Sequence, residues 1–241
     1  MENKFIRNKL FLGEDICKKI SNLSILVVGC GGVGGYAIES LARLGVANFT
    51  LVDNDVVDLT NFNRQIIAND TNLNKSKVEV FKERILDINK NAVIDCKNII
   101  YRKENEEFIF DKHYDFVIDA IDTLSLKWEL IKTCLENDIK FISSMGMANK
   151  KDLTKVEITT LDKTVNDPVS KKIREFARKD KVNLKKIPVV FSRELPYKQN
   201  EVINANSNIL KERIPPSSII FVPATAGLLM GQYILEKTMC E

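Results

Sequence analysis

Apolar positions along the first 150 residues repeat at two different spacings. Short apolar runs rich in β-branched residues predict buried strands, and apolar residues three or four apart with charge between them predict amphipathic helices. The predicted strands span residues 24–29, 49–52, 92–100, 116–118 and 140–143. The predicted helices span 75–89 and 124–136, and a third follows a glycine-rich turn and ends at Gly45. Strands that alternate with helices predict an α/β fold with a mostly parallel sheet and right-handed crossovers.

The pattern changes after about residue 150. Two further strands, 155–159 and 188–191, are predicted in a mixed or antiparallel extension of the same sheet. Asp167 as N-cap and Pro168 at the first helical position predict that a helix begins between these strands. Residues 198–218 are polar and irregular, which predicts a loop.

The most apolar stretch lies near the C-terminus, over residues 219–235. It contains Pro223 and Gln232 and is shorter than the roughly 20 apolar residues that a membrane-spanning helix needs. We therefore predict a buried strand followed by a core helix in place of a membrane anchor. The N-terminal segment MENKFIRNKLFLGEDICKK is too charged to be a signal peptide.

Length and composition narrow the class of protein. The chain has 241 residues, of which 44% are hydrophobic and 29% charged, and these values exclude a disordered or low-complexity protein. Its length fits one large domain or one domain with an appendage, and we predict a single domain over 1–241. The five cysteines form no C-x-x-C pair, which indicates reduced thiols in the cytoplasm and no zinc site.

The net charge of +3 is unevenly distributed along the chain. Residues 150–198 contain 14 Lys and Arg against 7 Asp and Glu, a net charge of +7. The rest of the chain therefore has a net charge of −4. Such a basic segment is either an ordinary solvated surface or the contact face for a polyanion.

A glycine-rich motif joins the first predicted strand to the helix that follows it. Residues 29–34 satisfy the pattern G-x-G-x-x-G, and Asp53 ends the next strand, 19 residues beyond the last glycine of the motif. Glycines let backbone N–H groups approach a phosphate, and the acidic residue accepts hydrogen bonds from ribose hydroxyls. The candidate nucleotide-binding glycines are Gly29, Gly31, Gly32 and Gly34. The alternatives are a glycine turn without a ligand and an NAD-dependent oxidoreductase.

Polar residues that follow the strands favour a triphosphate over a dinucleotide. Asn61, Arg64 and Gln65 come after the second strand. Lys77 opens the next helix and Asp122 follows a later strand. Because the carboxyl ends of parallel strands share one sheet edge, we expect these side chains to converge there. An arginine, a lysine and a carboxylate able to hold Mg²⁺ fit a triphosphate whose α-phosphorus is attacked, although each residue alone is a common surface charge.

The only histidine argues against hydride transfer. A hydride-transfer enzyme commonly needs a proton donor in its pocket, but His113 precedes a strand at the opposite edge of the predicted sheet. We predict that His113 is a solvated loop residue. Cys134, near the sheet, is predicted to pack in the core and not to act as a nucleophile.

Three segments of the first half carry a family resemblance: GCGGVGGYAIESLARLGV, LVDNDVVDLTNFNRQ and DAIDT. Together with the lysine at 77, and with spacings preserved over about residues 5–150, they resemble the ubiquitin-activating-type adenylyltransferases. The resemblance implies a Rossmann-like adenylation fold in which 1–150 is the ATP-binding half. It implies that Asp53 binds the ribose of ATP and that Asp122 binds Mg²⁺. It also implies that four further residues contact the nucleotide: Asn61, Arg64, Gln65 and Lys77. Family members are usually homodimers in which an N-terminal arginine enters the partner's site, and Arg7 matches that arginine.

Two departures narrow the resemblance to one subfamily. The sulfur-carrier activators of this family commonly hold zinc with two C-x-x-C pairs and keep a cysteine beyond the sheet, but residues 147–182 contain no cysteine. The segments ISSMGMANKKDLTKVEI, DPVSKKIREFARK, VVFSRELP and IIFVPATAGLLMG instead resemble the bacterial tRNA threonylcarbamoyladenosine dehydratases. Two positions differ from that family: Ala148 replaces a usual glycine, and Leu153 replaces a proline that commonly comes a few residues later.

The resemblance implies that the basic segment contacts tRNA. Residues 151–241 would then form the tRNA face and contribute dimer contacts. We predict that four cations on the helix that begins at Pro168, with Lys185, Lys186 and Arg193 beside them, neutralise tRNA phosphates. The four are Lys171, Arg174, Arg178 and Lys181. The alternative is an ordinary solvated helix face.

The resemblance implies an ATP-dependent dehydratase of threonylcarbamoyladenosine in tRNA, with ATP and Mg²⁺ as cofactors and no zinc. Its catalytic residues would be Arg64, Lys77 and Asp122, with Arg7 contributed across a homodimer. A sulfur-transfer protein is a further partner that the family allows. The runner-up is an adenylyltransferase that activates the C-terminus of a ubiquitin-like sulfur carrier. An NAD-binding oxidoreductase and a catalytically silent binding module are the remaining alternatives.

Overall fold

The computed structural model describes residues 4–198 and 216–240 and contains a seven-stranded sheet flanked by helices. The strands are β1 Ser24–Val28, β2 Asn48–Val52, β3 Val93–Lys97, β4 Phe116–Asp119, β5 Phe141–Ser144, β6 Val156–Thr160 and β7 Pro188–Ser192. The helices are α1 Ile6–Leu12, α2 Glu14–Asn22, α3 Gly34–Leu44, α4 Lys77–Ile88, α5 Glu106–Ile109, α6 Leu124–Glu136, α7 Pro168–Lys179 and α8 Phe221–Met239. Short 3₁₀ turns lie at Leu59–Asn61, Asp70–Asn72, Lys103–Asn105, Leu153–Lys155, Leu161–Lys163 and Leu184–Lys186. The predicted loop over 198–218 falls mostly on 199–215, outside the described residues.

Neighbouring strands run parallel except β6 and β7, which pair antiparallel at one edge. The strand order is β3-β2-β1-β4-β5-β7-β6. The predicted α/β fold, a mostly parallel sheet with an antiparallel extension in the C-terminal half, is confirmed. After β1 the chain forms β2 and β3 on one side of β1, and it then crosses to form β4 on the other side. This reversal opens a crevice at the carboxyl ends of the strands, where α/β proteins bind ligands.

Alternate residues of the central strand β1 pack into two separate apolar layers. Ile25 and Val27 lie in the layer that also holds residues of α3, α4 and α8. Leu26 and Val28 lie in the layer that holds residues of α6 and α7. Side chains alternate across a strand, so a strand covered on both faces has an unbroken apolar sequence. The continuous run that predicted this strand therefore follows from its central position.

Local signals place the ends of two helices that border the crevice. α3 ends where predicted, because Gly45 follows it with a φ of 108°, the left-handed conformation that closes helices. α7 begins where predicted, because a carboxylate oxygen of Asp167 accepts a hydrogen bond from the N–H of Ser170, 2.8 Å away. Pro168 occupies its first position. The predictions of helices over 75–89 and 124–136 are also confirmed, as α4 and α6.

The prediction of a strand at the start of 219–235 is wrong. Helix α8 already begins at Phe221, and Pro223 lies in its first turn, where the missing N–H of proline leaves no helical hydrogen bond unmade. α8 packs closely on α3, since a Cβ at Gly227 would lie 2.3 Å from the carbonyl oxygen of Val33. From Phe221 onward the segment is a helix that packs on α3. Among the described residues, no helix is long and apolar enough to cross a membrane.

Two short N-terminal helices, α1 and α2, precede the sheet, and the sequence pattern did not predict them. α1 lies across the C-terminal end of α3. The side-chain amide of Asn8 donates to the carbonyl oxygens of Arg43, at 2.9 Å, and Leu44, at 3.1 Å. α1 is therefore held at the end of α3 that points away from the glycine-rich turn.

Candidate active site

A cavity of about 730 Å³ lies at the carboxyl ends of β1, β2, β4 and β5. Its walls bring together residues that are far apart in the sequence, as expected when the carboxyl ends of parallel strands share one edge of the sheet. Nine of the predicted site residues line it: Gly29, Gly31, Gly32, Asp53, Asn61, Arg64, Gln65, Lys77 and Asp122. Gly34 and Arg7 are not among its lining residues.

The glycines of the motif serve two different purposes. Gly29 has a φ of 94°, and a Cβ there would lie 2.6 Å from the carbonyl oxygen of Ala120. A Cβ at Gly34 would lie only 1.8 Å from the carbonyl oxygen of Gly29. These two glycines therefore allow the turn to fold against α3 and the chain after β4. A Cβ at Gly31, by contrast, would meet no atom nearer than 3.9 Å, so this glycine leaves open space beside the cavity.

The carboxylate of Asp53 is held at the end of β2 by two backbone groups. One oxygen accepts from the N–H of Cys30 at 2.6 Å, and the other accepts from the N–H of Asp55 at 2.8 Å. Burial raises the pKa of Asp53, against the opposing effects of these hydrogen bonds and of the nearby ammonium of Lys77. An oriented carboxylate in this position can accept hydrogen bonds from the hydroxyls of a ribose.

The ammonium of Lys77 is buried but has a partner at the surface. Its nitrogen lies 2.7 Å from a carboxylate oxygen of Asp55, whose side chain is 61% exposed. The N–H of Lys77 also donates to the carbonyl oxygen of Asp55, at 3.0 Å. A pair with one solvated partner is weak, so the ammonium can exchange that partner for a phosphate oxygen at little cost.

Arg64 and Gln65 follow a 3₁₀ turn that Asn61 helps to close. The side-chain oxygen of Asn61 accepts from the N–H of Asp58 at 3.1 Å, so its amide already has a structural role. The guanidinium of Arg64 donates to the carbonyl oxygen of Thr60 at 2.6 Å, and its aliphatic stem lies beside Gly32.

The amide of Gln65 lies in the cavity wall with one atom unpaired. Its side-chain oxygen is buried and has no hydrogen-bond partner among the described residues. A buried acceptor without a partner is costly, and a ligand hydroxyl or N–H would satisfy it.

Asp122 lies exposed in the turn between β4 and α6. Among the described residues, no three His, Cys, Asp or Glu side chains come together as a metal site. An exposed carboxylate in the cavity wall is nevertheless compatible with Mg²⁺ in a nucleotide site, because the ion takes one or two carboxylates and completes its shell with phosphate oxygens and water.

Sequence reasoning missed a buried ion pair beside this turn. Lys127 lines the cavity, and its ammonium lies 2.9 Å from both carboxylate oxygens of Asp119. The hydroxyl of Ser143 donates to the same carboxylate at 2.6 Å. The available signal was a lysine between Leu126 and Trp128 in a helix that packs on the sheet, a position where a charge needs a partner.

Arg7 does not reach the cavity of its own chain. It is exposed on α1, at the C-terminal end of α3, whereas the cavity adjoins the N-terminal end of that helix. Eleven residues of helix separate the two ends, a distance of about 16 Å at 1.5 Å per residue.

The four cations predicted on the helix that begins at Pro168 do not form one stripe on α7, and this expectation is corrected. The helix ends at Lys179, so Lys181 lies beyond it, with a φ of 57°. Arg174 is half-buried and donates to the carbonyl and hydroxyl oxygens of Thr164. Lys171 and Arg178 are exposed on the helix. The prediction assumes that one helix continues as far as Lys181, but the helix ends at Lys179 and a loop follows.

The remaining candidate groups lie where the sequence predicts them. His113 is exposed, 3.6 Å from a carboxylate oxygen of Asp115. Cys134 is buried, and burial raises the pKa of its thiol. Burial likewise raises the pKa of the Cys30 thiol well above its usual value. Neither thiol is therefore ionised for nucleophilic attack near neutral pH.

The chain is similar to known proteins along nearly its whole length. It matches the ThiF family over residues 5–237. It is 42% identical over 240 residues to the tRNA threonylcarbamoyladenosine dehydratase of Bacillus subtilis, covering 98% of this chain and 94% of that protein. Crystal structures of the Escherichia coli tRNA N6-threonylcarbamoyladenosine dehydratase, TcdA, with ATP and with AMP each superpose with a TM-score of 0.87 at 32% identity, covering 98% of this chain and 94% of theirs.

Proposed function

Because the chain belongs to the ThiF family, we propose that it is an ATP-dependent dehydratase that cyclises threonylcarbamoyladenosine in tRNA. One observation carries the proposal: all the predicted nucleotide residues except Gly34 line one cavity, in a chain that matches named dehydratases along nearly its whole length. The E. coli relative has been solved with ATP and with AMP, which are the substrate and a product expected of an adenylating reaction.

The proposed reaction has two steps. A carboxylate oxygen of the modified nucleoside attacks the α-phosphorus of ATP, and pyrophosphate leaves to give an acyl-adenylate. The ureido group of the same modification then attacks the activated carbonyl, AMP leaves, and the ring that forms has lost one water. Both reacting groups belong to the tRNA, so the protein needs no covalent nucleophile. Its contribution is positioning and neutralisation of charge.

The cavity residues divide this work. Asp53 holds the ribose, and the backbone N–H groups of the glycine turn approach the phosphates. Lys77 and Arg64 exchange their present partners, Asp55 and the carbonyl oxygen of Thr60, for phosphate oxygens. Since both present partners lie at the surface, the exchange leaves no buried charge unpaired.

Asp122 is the residue that would hold Mg²⁺, with phosphate oxygens as its other ligands. The ion would neutralise charge on the triphosphate and on the leaving pyrophosphate. The position of Asp122 at the end of β4, next to the glycine turn after β1, supports this role.

We propose that Arg7 completes the site of a second copy in a homodimer. Its distance from its own cavity supports a role in trans. Its neighbours on α1 support an interface, because Leu10 and Phe11 are 80% and 86% exposed in the isolated chain. Contiguous exposed apolar side chains, unlike scattered ones, mark protein contacts, and these two are adjacent in the chain.

The exposed cations after residue 150 are the proposed tRNA face. Val169, in the first turn of α7, lines the cavity, so the helix extends from the site itself. Lys171 and Arg178 on α7, and Lys185 and Lys186 after it, are exposed. We place this tRNA-modifying activity in the cytoplasm.

One experiment separates this function from its alternatives. The protein is incubated with ATP and Mg²⁺, and AMP is measured with threonylcarbamoylated tRNA, with unmodified tRNA, and with a carrier protein that ends in diglycine. AMP formation that depends on the modified tRNA supports the dehydratase. Stimulation by the diglycine-ended carrier would favour a sulfur-carrier activator. Oxidation of NADH in a parallel sample would favour an oxidoreductase. No reaction in any of these samples would favour a silent binding module.

A further inference from the structure

Lys150 is a buried lysine outside the nucleotide residues, with all three of its donors engaged. Its side chain is 1% exposed. The ammonium donates to the carbonyl oxygen of Gly146 at 2.7 Å and to that of Ser192 at 3.2 Å, and it lies 3.2 Å from a carboxylate oxygen of Asp167. These partners belong to the chain after β5, the end of β7 and the start of α7. One ammonium therefore joins three segments.

The carboxylate of Asp167 is shared between a helix and a loop. Its second oxygen accepts from the N–H and hydroxyl of Ser170, in the first turn of α7, and from the N–H of Gly146 at 3.2 Å. The loop lies so close that a Cβ at Gly146 would be 2.4 Å from Asp167. Buried ion pairs often add little net stability, because desolvation offsets the attraction. The consequence of this pair is a fixed position for the loop.

The loop forms one wall of the cavity. Ser144, Met145, Gly146, Met147 and Ala148 all line it, as does Val169 of α7. In the strand order, β5 lies on one side of β4, whereas β1 and β2, which carry the glycine turn and Asp53, lie on the other. With the ribose at Asp53 and the phosphates at the glycine turn, as proposed, the loop wall lies on the side of the cavity away from the ribose. That arrangement leaves this side of the cavity for the second reactant.

We propose that Lys150 is a positioning residue, whose buried ammonium fixes the loop wall 144–148 against the start of α7 and so shapes the part of the cavity that receives the modified nucleoside. The inference rests on the proposed function and deepens it. Lys150 touches neither ATP nor the nucleoside; it acts through Gly146 and Asp167.

The test compares Lys150→Met with the wild type in AMP formation on threonylcarbamoylated tRNA and in ATP binding. A displaced wall misaligns the nucleoside, so kcat/KM for tRNA should fall about 10²-fold while the Kd for ATP is unchanged. Glu39→Gln is the matched control. It breaks another buried ion cluster, in which Glu39 pairs with Arg43 and Arg84 at 2.6 Å each, and no member of that cluster lines the cavity. It should lower stability and leave kcat/KM unchanged.

A double variant separates the effect of Lys150 on the position of the loop wall from its effect on the stability of the protein. In Lys150→Met/Asp167→Asn both charges are gone and Asn can still cap α7, so the midpoint of thermal unfolding should recover while kcat/KM stays low. Methylammonium added to Lys150→Ala should restore part of kcat/KM, and tetramethylammonium, which has no N–H donor, should not.

Wild-type kcat/KM in Lys150→Met, or recovery of kcat/KM along with stability in the double variant, would overturn the inference alone. If the wild type forms no AMP with threonylcarbamoylated tRNA, the proposed function falls and the inference falls with it.

Discussion

The ammonium nitrogen of Lys127 lies 2.9 Å from both carboxylate oxygens of Asp119, and the two side chains are 2% and 1% exposed. One of these oxygens also accepts from the N–H of Ile121, 3.1 Å away. Ile121 immediately precedes Asp122. The buried pair therefore holds the turn that presents the proposed Mg²⁺ carboxylate to the cavity.

Lys127→Met should lower the stability of the protein and raise the Mg²⁺ concentration that the reaction needs. The free energy of unfolding should fall by about 3 kcal/mol, because Asp119 is left as an unpaired buried charge. AMP formation should need more Mg²⁺ for half-maximal rate, because the turn loses its anchor. Denaturant unfolding and a Mg²⁺ titration check the two effects. Lys132→Met, on the same helix but at a surface pair 3.5 Å from Asp180, should change the unfolding free energy by less than about 1 kcal/mol. Equal effects of the two substitutions would contradict a special role for Lys127.

Arg64→Ala and Asp122→Ala should each abolish AMP release and leave tRNA binding nearly intact. Both side chains line the cavity and belong to the proposed phosphate and Mg²⁺ contacts, not to the basic segment. AMP assays and tRNA binding measured on the same preparations test this. Asp70→Ala removes a carboxylate from an exposed 3₁₀ turn and should behave as the wild type. Loss of tRNA binding with normal ATP turnover in either cavity variant would refute these assignments.

Arg7 should act in trans, and mixing two inactive variants tests this. Arg7→Ala and Asp122→Ala are each expected to be inactive alone. After subunit exchange, half of the dimers are mixed and each contains one intact site, so activity should return to about a quarter of the wild-type value. If Arg7 acted within its own chain, or not at all, mixing would restore nothing beyond the activity of the separate variants.

Gly31→Ala and Gly34→Ala add the same methyl group to one motif but should differ in effect. At Gly34 the methyl would lie 1.8 Å from a carbonyl oxygen, so the unfolding free energy should fall by at least about 2 kcal/mol. At Gly31 the nearest atom is 3.9 Å away, so stability should hardly change, whereas the Kd for ATP should rise because the methyl occupies cavity space. Thermal unfolding and ATP titration distinguish the two. Similar stability losses would show that the turn is packed more tightly than its geometry indicates.

Lys171→Ala/Arg178→Ala should weaken tRNA binding without affecting ATP binding. Each exposed cation that contacts a phosphate releases counterions, so the slope of log K against log salt should become shallower by about 2. Binding measured at several salt concentrations checks this. The matched control is Lys172→Ala, because Lys172 on the same helix already pairs with Glu175 at 2.9 Å. A salt slope equal to that of the wild type would remove α7 from the tRNA face.

Much of the fold follows from local sequence. The strand SILVVG, the glycine turn, the end of α3 at Gly45 and the start of α7 at Asp167 depend on residues within one or two turns of each other. Short-range sterics and capping decide such features, so the sequence predicts them. The N-terminal helices were missed, and the start of the segment 219–235 was wrongly predicted as a strand, because an apolar run alone does not separate a buried strand from a buried helix.

The candidate site likewise has features that the local sequence predicts and features that it does not. The sequence by itself determined which polar residues follow the carboxyl ends of the strands, and the parallel sheet then brings them together at one cavity. Only the tertiary structure decided which charges are buried and what they contact. Lys127 and Lys150 look like ordinary lysines in the sequence, and Arg174 and Lys181 look like parts of one stripe. Their environments depend on partners in other elements, such as Asp119 at the end of β4 and Asp167 just before α7, which come close only when the helices and loops pack against the sheet and water is excluded.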